Sequence, residues 1–324
     1  MSMSYKVLIK SNYFFIKTLY LTPTPCIEFF QEIKNIMLYD SVDQAKKKSS
    51  GCPSQSPQAK QQQQQEEQIK TSLSKIKNKI FVLSGKGGVG KSSVSANLAA
   101  SLAQKGFKTG LMDVDLHGPS LAQMFSITEL LDVSPQQLLL PKKINDNLKV
   151  VSIQGLMQDK DQAIIWRGPA KTGMIKQFVG SVDWGELDFL IIDAPPGTGD
   201  EPISVVQTVP DAQAVVVTTP QEVALADVRK SISFCRTVKI KTLGIVENMG
   251  PFKCPHCNEI IELFKSGGGE AMAKKEGLTF LGSIPFDTEV VKSGDAGSPV
   301  VLANPESIFS KAFETIVENI TKQL

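Results

Sequence analysis

Short apolar runs separated by helix-spaced apolar positions recur along most of this chain. Runs rich in β-branched and aromatic residues fall at 79–84, 188–193, 214–218, 242–246 and 280–285, with shorter ones at 108–112 and 148–153. Such uninterrupted runs predict strands covered on both faces. Between them the period changes. Val94, Leu98 and Leu102 repeat at four-residue spacing with Ala99 and Ala103 beside them, which predicts a helix directly after the first run. Further helices are predicted at 121–125, 171–182, 204–208, 222–238 and 305–323, and Gly267-Gly268-Gly269-Glu270 reads as a turn into another. Strands alternating with helices predict an α/β fold, a doubly wound and mostly parallel sheet.

This pattern starts only near residue 71. Residues 41–70 are polar, with Lys46-Lys47-Lys48 and a glutamine run, and offer too little apolar surface to bury; they predict a linker. The segment before it mixes lysines with aromatic clusters too interrupted for a secretory apolar core. Its lack of arginine gives little support to a transit peptide, and Met37 is a credible alternative start. The division expected is a tail and linker over 1–70 and one α/β domain over 71–324. At 324 residues and 41% hydrophobic content the chain can bury a large core. A net charge of +2 gives no electrostatic case for nucleic acid or an anionic membrane. No apolar run reaches the roughly 18 residues that a membrane-spanning helix needs. Five cysteines, few and odd in number, argue against a disulfide framework and for a reducing, cytoplasmic setting.

The candidate chemistry lies where strands end. After the first run come Gly85, Lys86, Gly87, Gly88, Val89, Gly90, Lys91, Ser92 and Ser93. Gly85, four residues, then Gly90-Lys91-Ser92 is the spacing of a P-loop, whose backbone N–H groups wrap phosphates while the lysine reaches the β/γ oxygens and the hydroxyl holds Mg²⁺. Glycines are expected there because a Cβ would block the phosphate. The strand at 188–193 ends in Asp193, a Walker B carboxylate suited to Mg²⁺. Asp113 and Asp115 follow another strand and point the same way if that strand continues. One would support Mg²⁺ and its waters and the other orient the attacking water, with a helix cap as the plain alternative. The loop 194–201, with Pro195, Pro196, Gly197 and Gly199, suits a γ-phosphate sensor or a proline turn into a helix. His117 reads as a surface loop residue, Arg167 as a phosphate contact or a loop pin, and Asn248 as a base reader or a turn residue.

Cys254-Pro255-His256-Cys257 can put two thiolates on one metal. A structural zinc or a cubane cluster usually takes four ligands, and the chain has no second Cys-x-x-Cys, so a symmetric dimer would complete the set. A redox pair, a structural zinc with His256 or across a dimer, and a bridging iron–sulfur cluster remain open on these residues alone.

Lys86, directly after the first glycine, is not required by an ordinary P-loop. Gly-Lys-Gly-Gly-Val-Gly-Lys-Ser resembles the deviant Walker A class of P-loop NTPases that includes MinD, ParA and the nitrogenase iron protein. More narrowly, that loop, Asp113-Val114-Asp115 with Gly118-Pro119-Ser120, Trp166-Arg167-Gly168, the 193–200 loop, Thr219-Pro220-Gln221-Glu222-Val223-Ala224, Glu247-Asn248-Met249 and the cysteine pair together resemble the Mrp/ApbC family of nucleotide-binding iron–sulfur carriers over about 79–299. The resemblance implies a homodimeric, slow ATPase that holds a labile [4Fe–4S] cluster between protomers and passes it to apo-proteins. It implies that Lys86 contacts the partner's nucleotide, Lys91 the β/γ-phosphates, Ser92 and Asp193 the Mg²⁺, Asp115 the attacking water and Asn248 the adenine, with Cys254 and Cys257 as cluster ligands. Some members carry a second cluster motif in an N-terminal tail; this tail offers only Cys26 and Cys52. A MinD/ParA-like positioning ATPase, with zinc or no metal at the cysteines, is the alternative, and an electron donor like the nitrogenase iron protein a third. The final helix carries Phe309, Phe313, Ile316, Val317 and Ile320 with few cations, which predicts packing on the sheet and not a membrane anchor.

Overall fold

The structure is a computed structural model and describes residue 67 and residues 69–324 apart from 116, 117, 119, 157–167 and 255; of residues 168–170, 222 and 223 it describes the backbone alone. His117, Trp166 and Arg167 therefore lie outside the described residues, as does nearly all of the expected tail and linker.

The apolar runs form strands where the sequence places them. In chain order they are β1 Ile76–Ser84, β2 Thr109–Asp113, β3 Lys142–Lys143, β4 Leu148–Ser152, β5 Leu187–Asp193, β6 Gln213–Thr218, β7 Lys241–Gly250 and β10 Phe280–Pro285; β8 Phe252–Lys253 and β9 Ile260–Ile261 make a separate two-stranded hairpin. The eight-stranded sheet runs β10-β7-β6-β1-β5-β2-β4-β3, and every pair in it is parallel except β3 with β4. β1 lies between β5 and β6. The chain leaves β1 towards β2 on one side and later returns through β5 to β6 on the other, so the carboxyl end of β1 opens onto the crevice where such sheets bind ligands.

Helices cover the two faces because alternate strand residues point opposite ways. Ile80, Val82, Phe189, Ile191, Val215 and Val217 are buried in one core with α1 (Lys91–Gln104), α2 (Leu121–Met124), α8 (Val300–Ala303) and α9 (Ile308–Thr321). Phe81, Leu83, Leu190, Ile192 and Val216 are buried at the intervening positions. Further helices are α3 (Gly168–Gly180), α4 (Asp200–Thr208), α5 (Glu222–Thr237), α6 (Gly268–Glu276) and α7 (Glu289–Asp295).

Two helix starts differ from the expected ones, each for a local reason. α4 begins at Asp200, not 204, because Asp200 and Glu201 favour the positive end of a helix and Pro202 is tolerated in its first turn. α9 begins at Ile308, since Ser307 caps it by accepting from Ser310 N at 3.0 Å.

The last helix packs as its apolar stripe predicts. Phe309, Phe313, Ile316, Val317 and Ile320 are all buried, and the Phe309 and Phe313 rings lie 5.2 Å apart. No helix among the described residues is long and apolar enough to cross a membrane. Phe313 is fully enclosed, so Phe313→Ala is expected to lower the unfolding free energy by about 3–5 kcal/mol, through lost burial and the cavity left behind. Denaturant titration measures this directly; a loss under about 1 kcal/mol would mean that the helix does not share the sheet's core.

Candidate functional site

β1, β5 and α1 meet at one carboxylate. Asp193, the last residue of β5, is fully buried, and its Oδ2 lies 2.8 Å from Lys91 Nζ, itself 7% exposed. The same oxygen accepts from Ser92 Oγ at 2.6 Å, while Oδ1 accepts from Ser95 Oγ at 2.6 Å. Lys91, Ser92 and Ser95 lie on the first turns of α1, so this carboxylate fastens the phosphate loop to the neighbouring strand. Lys91 and Asp193 are thus brought together as the motifs predict, with Ser92 beside them. Two hard oxygens side by side at the loop's end fit a Mg²⁺ ion, which takes oxygen ligands. Ser95 was absent from the expected site, although its spacing from Lys91, one helical turn, carries the signal.

The loop's glycines serve distinct purposes. A Cβ on Gly85 would stand 2.3 Å from the backbone oxygen of Asp227 in α5, so this glycine is required by helix packing. One on Gly90, which has φ +78°, would stand 2.2 Å from Asn248 Nδ2. Gly87 and Gly88 are exposed and have nothing within 4 Å of an added Cβ; Gly88 has φ +80°. Only these two therefore match the expectation of a space kept open for a ligand. Ser84 Oγ donates to Lys86 O at 2.9 Å and ties the loop's start to its strand, and Lys86 is half-buried.

Of the two aspartates at the end of β2, only Asp113 remains in strand register. The strand stops at Asp113, whose Oδ1 accepts from Asp115 N at 3.1 Å and so turns the chain. Asp113 also accepts from Ser152 Oγ at 3.0 Å and from Leu121 N at 3.4 Å, which makes it the group that ties α2 and β4 to the strand end. Burial first, and then the charge of Asp193, push Asp113 up to about 7. Asp115, nearly buried, accepts from Gly118 N at 3.3 Å.

Asn248 lies within β7 and is nearly buried. Its Nδ2 donates to Val89 O at 2.9 Å, so the amide braces the phosphate loop. In the other loop, Gly197 has φ +89° and donates its N–H to Ser84 O at 3.1 Å, which gives one of the doubled glycines a structural reason.

Cys254 and Cys257 occupy the turn of the β8–β9 hairpin. Cys254 N donates to Glu259 O at 2.9 Å, and Asn258 N donates back to Cys254 O at 3.0 Å. The N–H groups of Cys257 and His256, with the Cys257 thiol, hold the Cys254 thiol below its usual range. Cys257 and His256 are exposed, Cys254 half-buried. Among the described residues no group of three or more His, Cys, Asp or Glu is gathered to hold a metal. Cys235 is a core thiol, pushed up to about 11 by burial.

The glycine geometry predicts unequal stability effects. Without nucleotide, Gly85→Ala is expected to cost about 1–3 kcal/mol because backbone must shift. Gly87→Ala, entering open space, should stay within about 0.5 kcal/mol. Chemical denaturation compares them; equal effects would refute the packing role of Gly85.

Residues 75–321 match the family model described as ParA, NUBPL iron-transfer P-loop NTPase. The chain is 46% identical over 259 residues to a protein of Methanococcus maripaludis named iron-sulfur cluster carrier protein, covering 79% of this chain and 90% of that one. It is 45% identical over 264 residues to the cytosolic Fe-S cluster assembly factor CFD1 of Saccharomyces cerevisiae, covering 78% and 90%. Among solved structures, a nucleotide-binding protein in complex with ADP from Archaeoglobus fulgidus superposes with a TM-score of 0.66 at 41% identity, over 76% of this chain and 96% of that one. The cell division ATPase MinD of Pyrococcus furiosus, at 24% identity and a TM-score of 0.58 over 76% and 99%, shares the fold. The phosphate loop joined to a Walker B carboxylate and the match over nearly all of the described chain agree: this protein belongs to the ParA/NUBPL family of iron-transfer P-loop NTPases.

Proposed function

We propose that this protein is a slow ATPase that assembles an iron–sulfur cluster, or carries it to apo-proteins, and that a [4Fe–4S] cluster is held between two copies of the chain by Cys254 and Cys257 of each. The observation that carries the reading is the cysteine turn. It presents two thiols at the surface, one of them held towards the thiolate by backbone N–H groups, and no third ligand gathers beside them among the described residues. Two thiolates per chain are half of what a cubane cluster takes, and a two-fold axis supplies the rest. The names of relatives at 45–46% identity support iron–sulfur cargo, and the one named cytosolic supports a cytoplasmic setting.

In this reading ATP lies along the carboxyl end of β1. The N–H groups from Gly85 to Ser93 surround its phosphates, Lys91 neutralises the β/γ oxygens, and Lys86 reaches the nucleotide of the second copy. Ser92 and Asp193 are the residues that would hold Mg²⁺, which when bound neutralises charge on the phosphates. Their hydrogen bond supports this, because it sets the hydroxyl and the carboxylate side by side at the end of the phosphate loop. Asp115 orients the attacking water. Asn248 meets the adenine with its amide oxygen, its Nδ2 being engaged by Val89. Hydrolysis changes the relative stability of two dimer forms, and the cluster at the axis is released from one of them.

Iron and sulfide analysis after anaerobic reconstitution tests the reading. Roughly four of each per dimer, with broad visible absorption lost in Cys254→Ala and in Cys257→Ala, is the expected result. Zinc at about one per dimer with no visible band would overturn it and favour a positioning ATPase with a structural clasp. Coupling is read separately: cluster transfer should depend on nucleotide in the wild type and lose that dependence in Lys86→Ala. Equal rates with no nucleotide, ADP and ATP would remove the coupling.

A further inference from the structure

The cysteine hairpin is attached twice to the end of β7. Its outgoing leg is covalent: β7 ends at Gly250 and β8 begins at Phe252. Met249 has φ +59°, a sparsely populated conformation for a residue with a Cβ, and there the chain turns towards the hairpin. The returning leg runs through β9, Phe264 and Ser266 into α6 at Gly268. One side chain brings that leg back to the same strand.

Glu247, 1% exposed, extends its carboxylate to the start of α6. Its Oε2 accepts from Gly269 N at 2.7 Å, and its Oε1 accepts from Gly267 N at 3.4 Å and from Ser283 Oγ at 3.1 Å. Space around it is tight: a Cβ on Gly269 would stand 2.9 Å from Glu247 Cβ, and one on Gly268 2.5 Å from Pro220 O. A buried carboxylate at the amino end of a helix is favoured by the helix's own charge distribution. Phe252 on one leg and Phe264 on the other both lie against Phe286, with ring centroids 5.9 Å and 6.4 Å away. The next residue along β7, Asn248, holds Val89 of the phosphate loop.

We propose that Glu247 is a positioning residue for Cys254 and Cys257: its buried carboxylate fixes the returning leg of their hairpin to the strand end that also braces the phosphate loop. The value of this for cluster carriage rests on the cysteines being the cluster pair. Ligands on a surface turn keep a metal-ready geometry only when the groups beneath them are fixed. A carboxylate that merely completed the sheet would be bonded within its strands alone. Glu247 is tied instead to the two residues flanking the α6 start and to Ser283 of β10.

Amide hydrogen exchange on the full chain, compared for the wild type, Glu247→Ala, Glu247→Gln and Gly269→Ala, tests the proposal. In Glu247→Ala, peptides over 252–266 should exchange about tenfold faster, as loss of a local anchor requires, with β1 and β5 unchanged. Glu247→Gln keeps one acceptor oxygen and should fall between. Gly269→Ala presses on Glu247 without removing it and should reproduce the loosening, which keeps the test valid if Glu247→Ala does not fold. Iron retained after anaerobic reconstitution should fall in the same order. Unchanged exchange over 252–266 would overturn the proposal, and so would protection lost in β1 and β5 together with the hairpin. The exchange readout needs no cluster. A wild type that binds no iron yet shows hairpin-specific loosening in the variants would uphold the positioning role and remove the carrier reading.

Discussion

The ion pair of Asp193 with Lys91 is the constraint on which the site depends. A fully buried carboxylate is unfavourable unless it is paired and its oxygens are satisfied, and here one cation and two hydroxyls do both. All three partners come from one turn of α1, so the helix can sit in only one rotation and one height against β5. That fixes the phosphate loop, which is the helix's amino end. Asp113, a second buried carboxylate near the first, is pushed upward by that neighbour as well as by burial. Two acidic groups at adjacent strand ends thus have distinct partners, one a lysine and two hydroxyls of α1, the other a hydroxyl and backbone donors.

The strands were legible in the sequence because parallel strands under helices on both faces are apolar at every position, and such runs are hard to mistake. The phosphate loop and the Walker B carboxylate were legible for a related reason: each follows its strand directly, so spacing alone places them. Pairings between distant segments were not legible. Nothing around Gly85 announces that Asp227 will lie against it, and nothing around Asn248 names Val89 as its partner. The aspartates at 113 and 115 show the opposite error. Alternation held only while the strand lasted, and the strand ended at the first of them because its own side chain captured the backbone of the second.

The hairpin that carries the cysteines has little apolar cover of its own. Ile260, 69% exposed, Ile261 and Leu263 face outwards, and the two strands are two residues each. A hairpin of that size is marginal alone in water. Its shape is supplied from below, by the Phe286 ring and by the strand end from which it rises. Geometry at the thiols is therefore a property of the sheet edge more than of the loop sequence.

The phosphate loop has a further consequence for the making of the protein. It is encoded early, yet the contacts that shape it come late: Gly85 needs α5, and Val89 is held by a residue 159 positions further on. A ribosome delivers the amino-terminal part first. During synthesis the loop must wait, its glycines unsupported, until β7 has emerged. A nascent chain cut short before that strand would carry the complete motif and still lack the shape that the motif is meant to give.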